Sequence, residues 1–91
     1  MAAGGQKEAY AQRRFYALLS AIQAYRAEYE NSPSILVLAK ATEMQKSAVF
    51  NWIVRAEKAG LLTRTPGVHR TVRLTEKGVD FVDYYERKHG M

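Results

Sequence analysis

The segment KSAVFNWIVRAEKAG, Lys46 to Gly60, sets two aromatic rings, Phe50 and Trp52, two residues apart. On a helix such residues point to nearly opposite sides, so only one ring can join a core. Val49, Trp52, Ile53 and Ala56 recur at i, i+3, i+4 and i+7 and form the apolar stripe. Burying Trp52 there would contribute about 2–3 kcal/mol, provided its indole N–H finds a partner. The other side carries Lys46, Ser47, Phe50, Asn51, Val54, Arg55 and Lys58. A hydroxyl, a carboxamide, positive charge and one unburied ring are groups suited to recognition of a partner.

The groups that make and break bonds are missing. With two histidines, His69 and His89, and no cysteine, a metal site of normal ligand count would need several carboxylates brought together, and no spacing suggests that. No glycine-rich phosphate loop, nucleophile elbow or paired-carboxylate motif occurs. The six tyrosines fall on two helical segments, Tyr10, Tyr16, Tyr25 and Tyr29 on one and Tyr84 and Tyr85 on the other, where packing or a dimer face explains them. The expectation is a protein that is not an enzyme and has no cofactor and no metal.

Charge locates the recognition surface. Of the formal +5, residues 1–43 contribute +1 and residues 79–91 contribute −1. Residues 44–78 hold seven basic side chains, Lys46, Arg55, Lys58, Arg64, Arg70, Arg73 and Lys77, against Glu57 and Glu76. The excess makes a local positive field suited to an anionic partner such as nucleic acid, or simply a solvated basic face.

The elements that must position these residues follow from periodicity. Residues 1–6 read as a flexible tail, and residues 7–91 as one domain, since 91 residues support only one modest core. Phe15, Leu18, Ile22, Tyr25 and Tyr29, widened by Tyr16 and Leu19, mark a first helix over about 7–30. Pro33 in ENSPS ends it. Ser34 is placed to cap a second helix over about 35–42, with Ile35, Leu38 and Ala39 inward. After a turn at Glu43 and Met44 comes the third helix, about 46–59, which Gly60 closes. LLTRTPGVHRTVRL then alternates Val72 and Leu74 against Thr71 and Arg73 around Pro66-Gly67, a hairpin over about 61–74. Thr75 caps a last helix, about 76–89, with Gly78, Phe81, Val82 and Tyr85 on one side. No apolar run approaches the roughly 18 residues of a membrane span, and the N-terminus lacks the pattern of a signal peptide.

At this point SAVFNWIVRAEKAGLLTR, Ser47 to Arg64, followed by a hairpin and LTEKG at Leu74 to Gly78, resembles the MarR-type bacterial repressors. SPSILVLAKATEM, Ser32 to Met44, and RTPGVHRTVRL, Arg64 to Leu74, are similar to the N-terminal DNA-binding domain of LexA repressors. The likeness spans about residues 15–78. It implies a mainly α fold with a small β-hairpin, the winged helix-turn-helix: three helices, a wing and a C-terminal helix. It departs at Val37, where LexA domains place a capping-box Glu, at Glu43, where they place Gly, and at the apolar pair Leu36 and Val37. The LexA peptidase domain and the full MarR dimerisation helices have no counterpart.

The resemblance implies a cytoplasmic, nucleoid-associated regulator of transcription that binds double-stranded DNA, with the third helix in the major groove. Ser47, Ala48, Phe50 and Asn51 are then the base contacts, Asn51 by bidentate pairing with adenine and Phe50 and Ala48 on thymine methyls. Lys46, Arg55 and Lys58 on the helix, and Arg64, His69, Arg70 and Arg73 on the wing, are the backbone contacts. Two further expectations stand beside these. The first helix and the C-terminal helix offer a face for a homodimer, and Leu36, Val37, Phe50 and Val54 offer an apolar patch for a protein partner.

Overall fold

The computed structural model describes residues 2–65 and 71–90, with side chains from residue 9 onward. Among these residues are four helices, α1 (Ala2–Tyr29), α2 (Ile35–Thr42), α3 (Lys46–Lys58) and α4 (Glu76–Lys88), and a two-stranded antiparallel ladder of β1 (Leu62–Thr63) and β2 (Arg73–Leu74). The ladder pairs Leu62 with Leu74 and Thr63 with Arg73. The fold is thus mainly helical with a small sheet. The strands are shorter than alternation suggested, and a Thr65 N–H bond to Thr71 Oγ1, 2.8 Å, closes the hairpin where the ladder stops.

α1 starts at Ala2, so residues 2–6, read above as a tail, are helical. Extending an existing helix adds one hydrogen bond per residue without a new nucleus, which here outweighs the poor helix propensity of Gly4 and Gly5. At about 1.5 Å per residue, 28 residues span about 42 Å, close to the longest dimension of the molecule, 41 Å. Every other helix packs against this rod, as does β2. Leu18, Leu19 and Ile22 of α1 are fully buried, with Leu38, Val49, Ile53, Ala56, Leu62 and Val82 around them. Tyr29, expected on this stripe, is exposed at the last turn of α1. It leans on Tyr25 instead, ring centroids 4.6 Å apart.

The turns are fixed by specific hydrogen bonds. Glu30 takes a left-handed conformation (φ 61°) at the end of α1. Buried Ser32 then accepts from Arg26 Nη1 (2.9 Å) and donates to the Val72 carbonyl (2.6 Å), tying the α1–α2 turn to the hairpin. Ser34 caps α2 by accepting from the Val37 N–H at 3.2 Å. Glu43 occupies the left-handed position between α2 and α3 (φ 58°) that glycine fills more cheaply.

At the far end of α3, Gly60 is left-handed (φ 79°), and the TEKG run then takes up the free carbonyls of that helix terminus. Thr75 Oγ1 donates to Gly60 O (2.6 Å) and accepts from the Gly78 N–H (3.0 Å). The Thr75 N–H donates to Leu61 O (3.1 Å), and Lys77 Nζ to Ala59 O (2.9 Å). A Cβ at Gly78 would overlap the Leu61 carbonyl oxygen and lie 3.0 Å from its carbon. We expect Gly78→Ala to destabilise the protein by about 2–4 kcal/mol, because backbone must move to admit one methyl group. Urea unfolding measures this, and a change below about 0.5 kcal/mol would show that the approach is not tight.

Candidate nucleic-acid interface

α3 divides as its sequence requires. Val49, Trp52, Ile53 and Ala56 are buried, while Lys46, Ser47, Phe50, Asn51, Arg55 and Lys58 are exposed. Val54 is half-buried on the outward side. Ala48, grouped above with the base contacts, is half-buried and packs against the core. At about 100° per residue it lies between the directions of Trp52 and Arg55, at the margin of the outward face.

Phe50, 47% exposed, is not bare. The Arg64 guanidinium sits 5.4 Å from its ring centroid, and Arg64 Nε donates to Glu57 Oε1 at 3.1 Å. Glu57, Phe50 and Arg64 therefore join the outer edge of α3 to the base of the hairpin. The ion pair is about one-third exposed on each side, so it contributes little stability, on the order of 0–1 kcal/mol. It does restrict where the guanidinium can point. Sequence reading placed Arg64 at the hairpin and missed its partner, because Glu57 and Arg64 meet only after the turn at Gly60.

The opposite edge of α3 is also cationic. Arg55 lies over the Trp52 ring at 4.3 Å. Trp52, 7% exposed, takes the edge of Phe15 at 5.3 Å and stands 6.0 Å from Tyr10. Arg73 is exposed on β2, in register with Thr63. His69 and Arg70, expected at the hairpin tip, lie outside the described residues.

Chemistry at the helix ends favours an anion at α3. α2 and α4 have side-chain caps, whereas Gln45 before α3 makes none and the first turn holds no acidic residue. The first-turn amides and Lys46 thus present the positive end of a helix. Among the described residues no group of three or more His, Cys, Asp or Glu is placed to hold a metal ion, and no helix is long and apolar enough to cross a membrane.

The patch of Leu36, Val37, Phe50 and Val54 is only partly exposed. Leu36 (50%) and Phe50 stand out, while Val37 and Val54 are half-buried. α1 and α4, expected to offer a face to a second copy, pack on each other within the chain. Tyr16 stacks on Tyr85 at 4.5 Å and 14°, and the Tyr16 hydroxyl donates to Glu86 Oε2 at 2.8 Å.

Neither a family model nor a curated protein sequence matches the chain. Among solved structures it is similar to the hypothetical protein SSo2273 from Sulfolobus solfataricus, at 25% identity and a TM-score of 0.74 over 85% of this chain. The chain spans 57% of the length of that protein.

The Tyr16 bond to Glu86, followed by partial burial and the Glu86 charge, raises the phenol above its ordinary value of 10.0. Folding therefore favours the neutral phenol. The associated stability is complete below pH 10.0 and is lost as pH rises through the higher folded value. We expect Tyr16→Phe to remove this component of the alkaline loss, seen as a flatter stability profile than wild type in urea unfolding on either side of pH 10.0. Parallel profiles would mean that the bond is not maintained in solution.

Proposed function

We propose that this chain is a winged helix-turn-helix protein that binds double-stranded DNA as a small transcriptional regulator, with α3 in the major groove and the hairpin as the wing. The observation that carries the reading is the division of α3. One side builds the core and fixes the helix against α1 and α2, while the other is an exposed strip of Ser47, Asn51 and Lys58 between cationic edges. A major groove about 12 Å wide admits a helix with side chains of about 10–12 Å diameter, so base edges face the strip and phosphates face its margins.

In this reading Asn51 and Ser47 meet base edges, Phe50 meets a thymine methyl, and Ala48 makes a marginal contact at most. Lys46, Arg55, Lys58, Arg64 and Arg73 meet the backbone, joined by His69 and Arg70 on the wing. The protein works without catalysis, cofactor or metal, in the cytoplasm at the nucleoid. A homodimer using α1 and α4 surfaces outside their mutual contact would extend the readout to two half-sites.

A second reading is supported by Leu36 and Phe50, two large apolar side chains about half exposed. They suit a winged helix that docks a protein partner. Salt separates the two, because phosphate contacts release counterions whereas an apolar interface responds weakly.

We expect wild type to bind duplex DNA with affinity that falls steeply between 50 and 200 mM salt, and Arg70→Ala/Arg73→Ala to lower the log–log slope by about 1.8. A wild type that ignores duplex at low salt, or a double variant with an unchanged slope, defeats the reading. Asn51→Ala should cost about 1–3 kcal/mol of preference for a selected site over random duplex. Equal losses on both duplexes would show that Asn51 does not read bases.

A further inference from the structure

The charges of α1 lie outside the basic middle third of the chain, yet two of them converge on α3. Arg13 and Arg14 stand over the Tyr10 ring at 5.7 and 5.1 Å from its centroid, and Tyr10 is 6.0 Å from Trp52, whose ring carries Arg55 at 4.3 Å. Arg13 and Arg14 thus lie against one ring and Arg55 against its tilted neighbour.

Among the described residues the one salt bridge is Arg64–Glu57, on the other edge of α3, so none of these three cations has a carboxylate partner there. Arg14 is half-buried, and its Nε is enclosed with no hydrogen-bond partner among the described residues. Arg13 and Arg55 are exposed, and Tyr10 is 45% exposed. Stacking on rings also restricts where a guanidinium points, so less side-chain entropy is lost when it meets an anion.

Position identifies that anion. Counting about 100° per residue around α3, Phe50 and Glu57 border the exposed strip on the hairpin side, and Arg55 borders it on the other, with Ser47, Asn51 and Lys58 between. A helix in a major groove faces two backbone walls. The hairpin serves one, with Arg64 and Arg73. We propose that Arg13 and Arg14, held against Tyr10 next to the Trp52–Arg55 pair, form a second backbone-binding site that grips phosphates of the opposite wall. The site rests on the DNA reading above and adds a clamp from α1, making the recognition surface two-sided.

The test is the salt dependence of duplex DNA binding by the full chain. Arg13→Gln/Arg14→Gln should lower the log–log slope by about 1.8, so that its loss of affinity between 50 and 200 mM salt is about tenfold smaller than that of wild type. Arg13→Lys/Arg14→Lys should keep most of the slope. Arg87→Gln/Lys88→Gln, which removes two charges from the exposed end of α4, should leave it unchanged. Should the Gln pair fail to give a cooperative melt, Arg13→Gln alone removes only an exposed side chain and should lower the slope by about 0.9. If wild type binds steeply and the Arg13 and Arg14 variants match its slope, or if the α4 pair lowers it equally, the α1 site is refuted while α3 and the wing stand. If wild type does not bind duplex at all, the DNA reading falls, and the clamp with it.

Discussion

The contact between Gly78 and the Leu61 carbonyl holds the molecule in register. At that point the chain leaving α3 passes directly over the first turn of α4, with no room for a side-chain carbon. Thr75 and Lys77 bind the carbonyls of Ala59, Gly60 and Leu61 around it. The C-terminus of α3, the start of β1, the end of β2 and the N-terminus of α4 are thereby one joint. Loosening it would free the hairpin relative to the outward face of α3, and with it the relation between Arg64, Glu57 and Phe50. On the DNA reading proposed above, that relation would have to be fixed, since a phosphate and a base edge stand at set distances in any groove.

A second joint works from the other side. Ser32, buried between Arg26 and the Val72 carbonyl, binds the α1–α2 turn to β2. α1 is thus attached to the hairpin at its C-terminal end and to α3 at its N-terminal half, through Tyr10 and Phe15 on Trp52. Trp52 is the keystone of that second attachment. Its ring takes Phe15 edge-on, stands near Tyr10 and carries Arg55, so the residue that completes the core also positions charge at the surface.

Much of this was legible in the sequence where a local rule decides the outcome. Ser34 and Thr75 are N-caps because a hydroxyl there meets an unpaired first-turn amide, and the stripe of α3 follows from period alone. Glu43 stood out as a residue forced into a glycine position, and it is left-handed. Readings went astray where the answer depended on distance or context. The run Ala2–Gln6 is helical because α1 propagates into it, Tyr29 is exposed at the last turn of α1, and Ala48 falls at the margin between the buried and outward faces of α3. Glu57 with Arg64, and Arg13 and Arg14 with Trp52 by way of Tyr10, unite residues far apart in the chain. Only Tyr10, Arg13 and Arg14, at i, i+3 and i+4, carried a local hint.

The opening pair, Phe50 and Trp52, now has a physical division of labour. Trp52 faces inward and supports Arg55, whereas Phe50 faces outward under Arg64, so each ring backs a cation at one margin of the same strip. On the DNA reading proposed above, those two cations would face the backbone on either side of the helix. The most direct test of that reading is a map of backbone amide resonances during titration with a short duplex at low salt. The account predicts that shifts concentrate in Lys46–Lys58, around Arg64 and Arg73, and at residues 10–14, while the α1 segment Ala17–Ala27 stays unchanged. Shifts centred on Leu36 or on that α1 segment, with Ser47 and Asn51 unmoved, would contradict it.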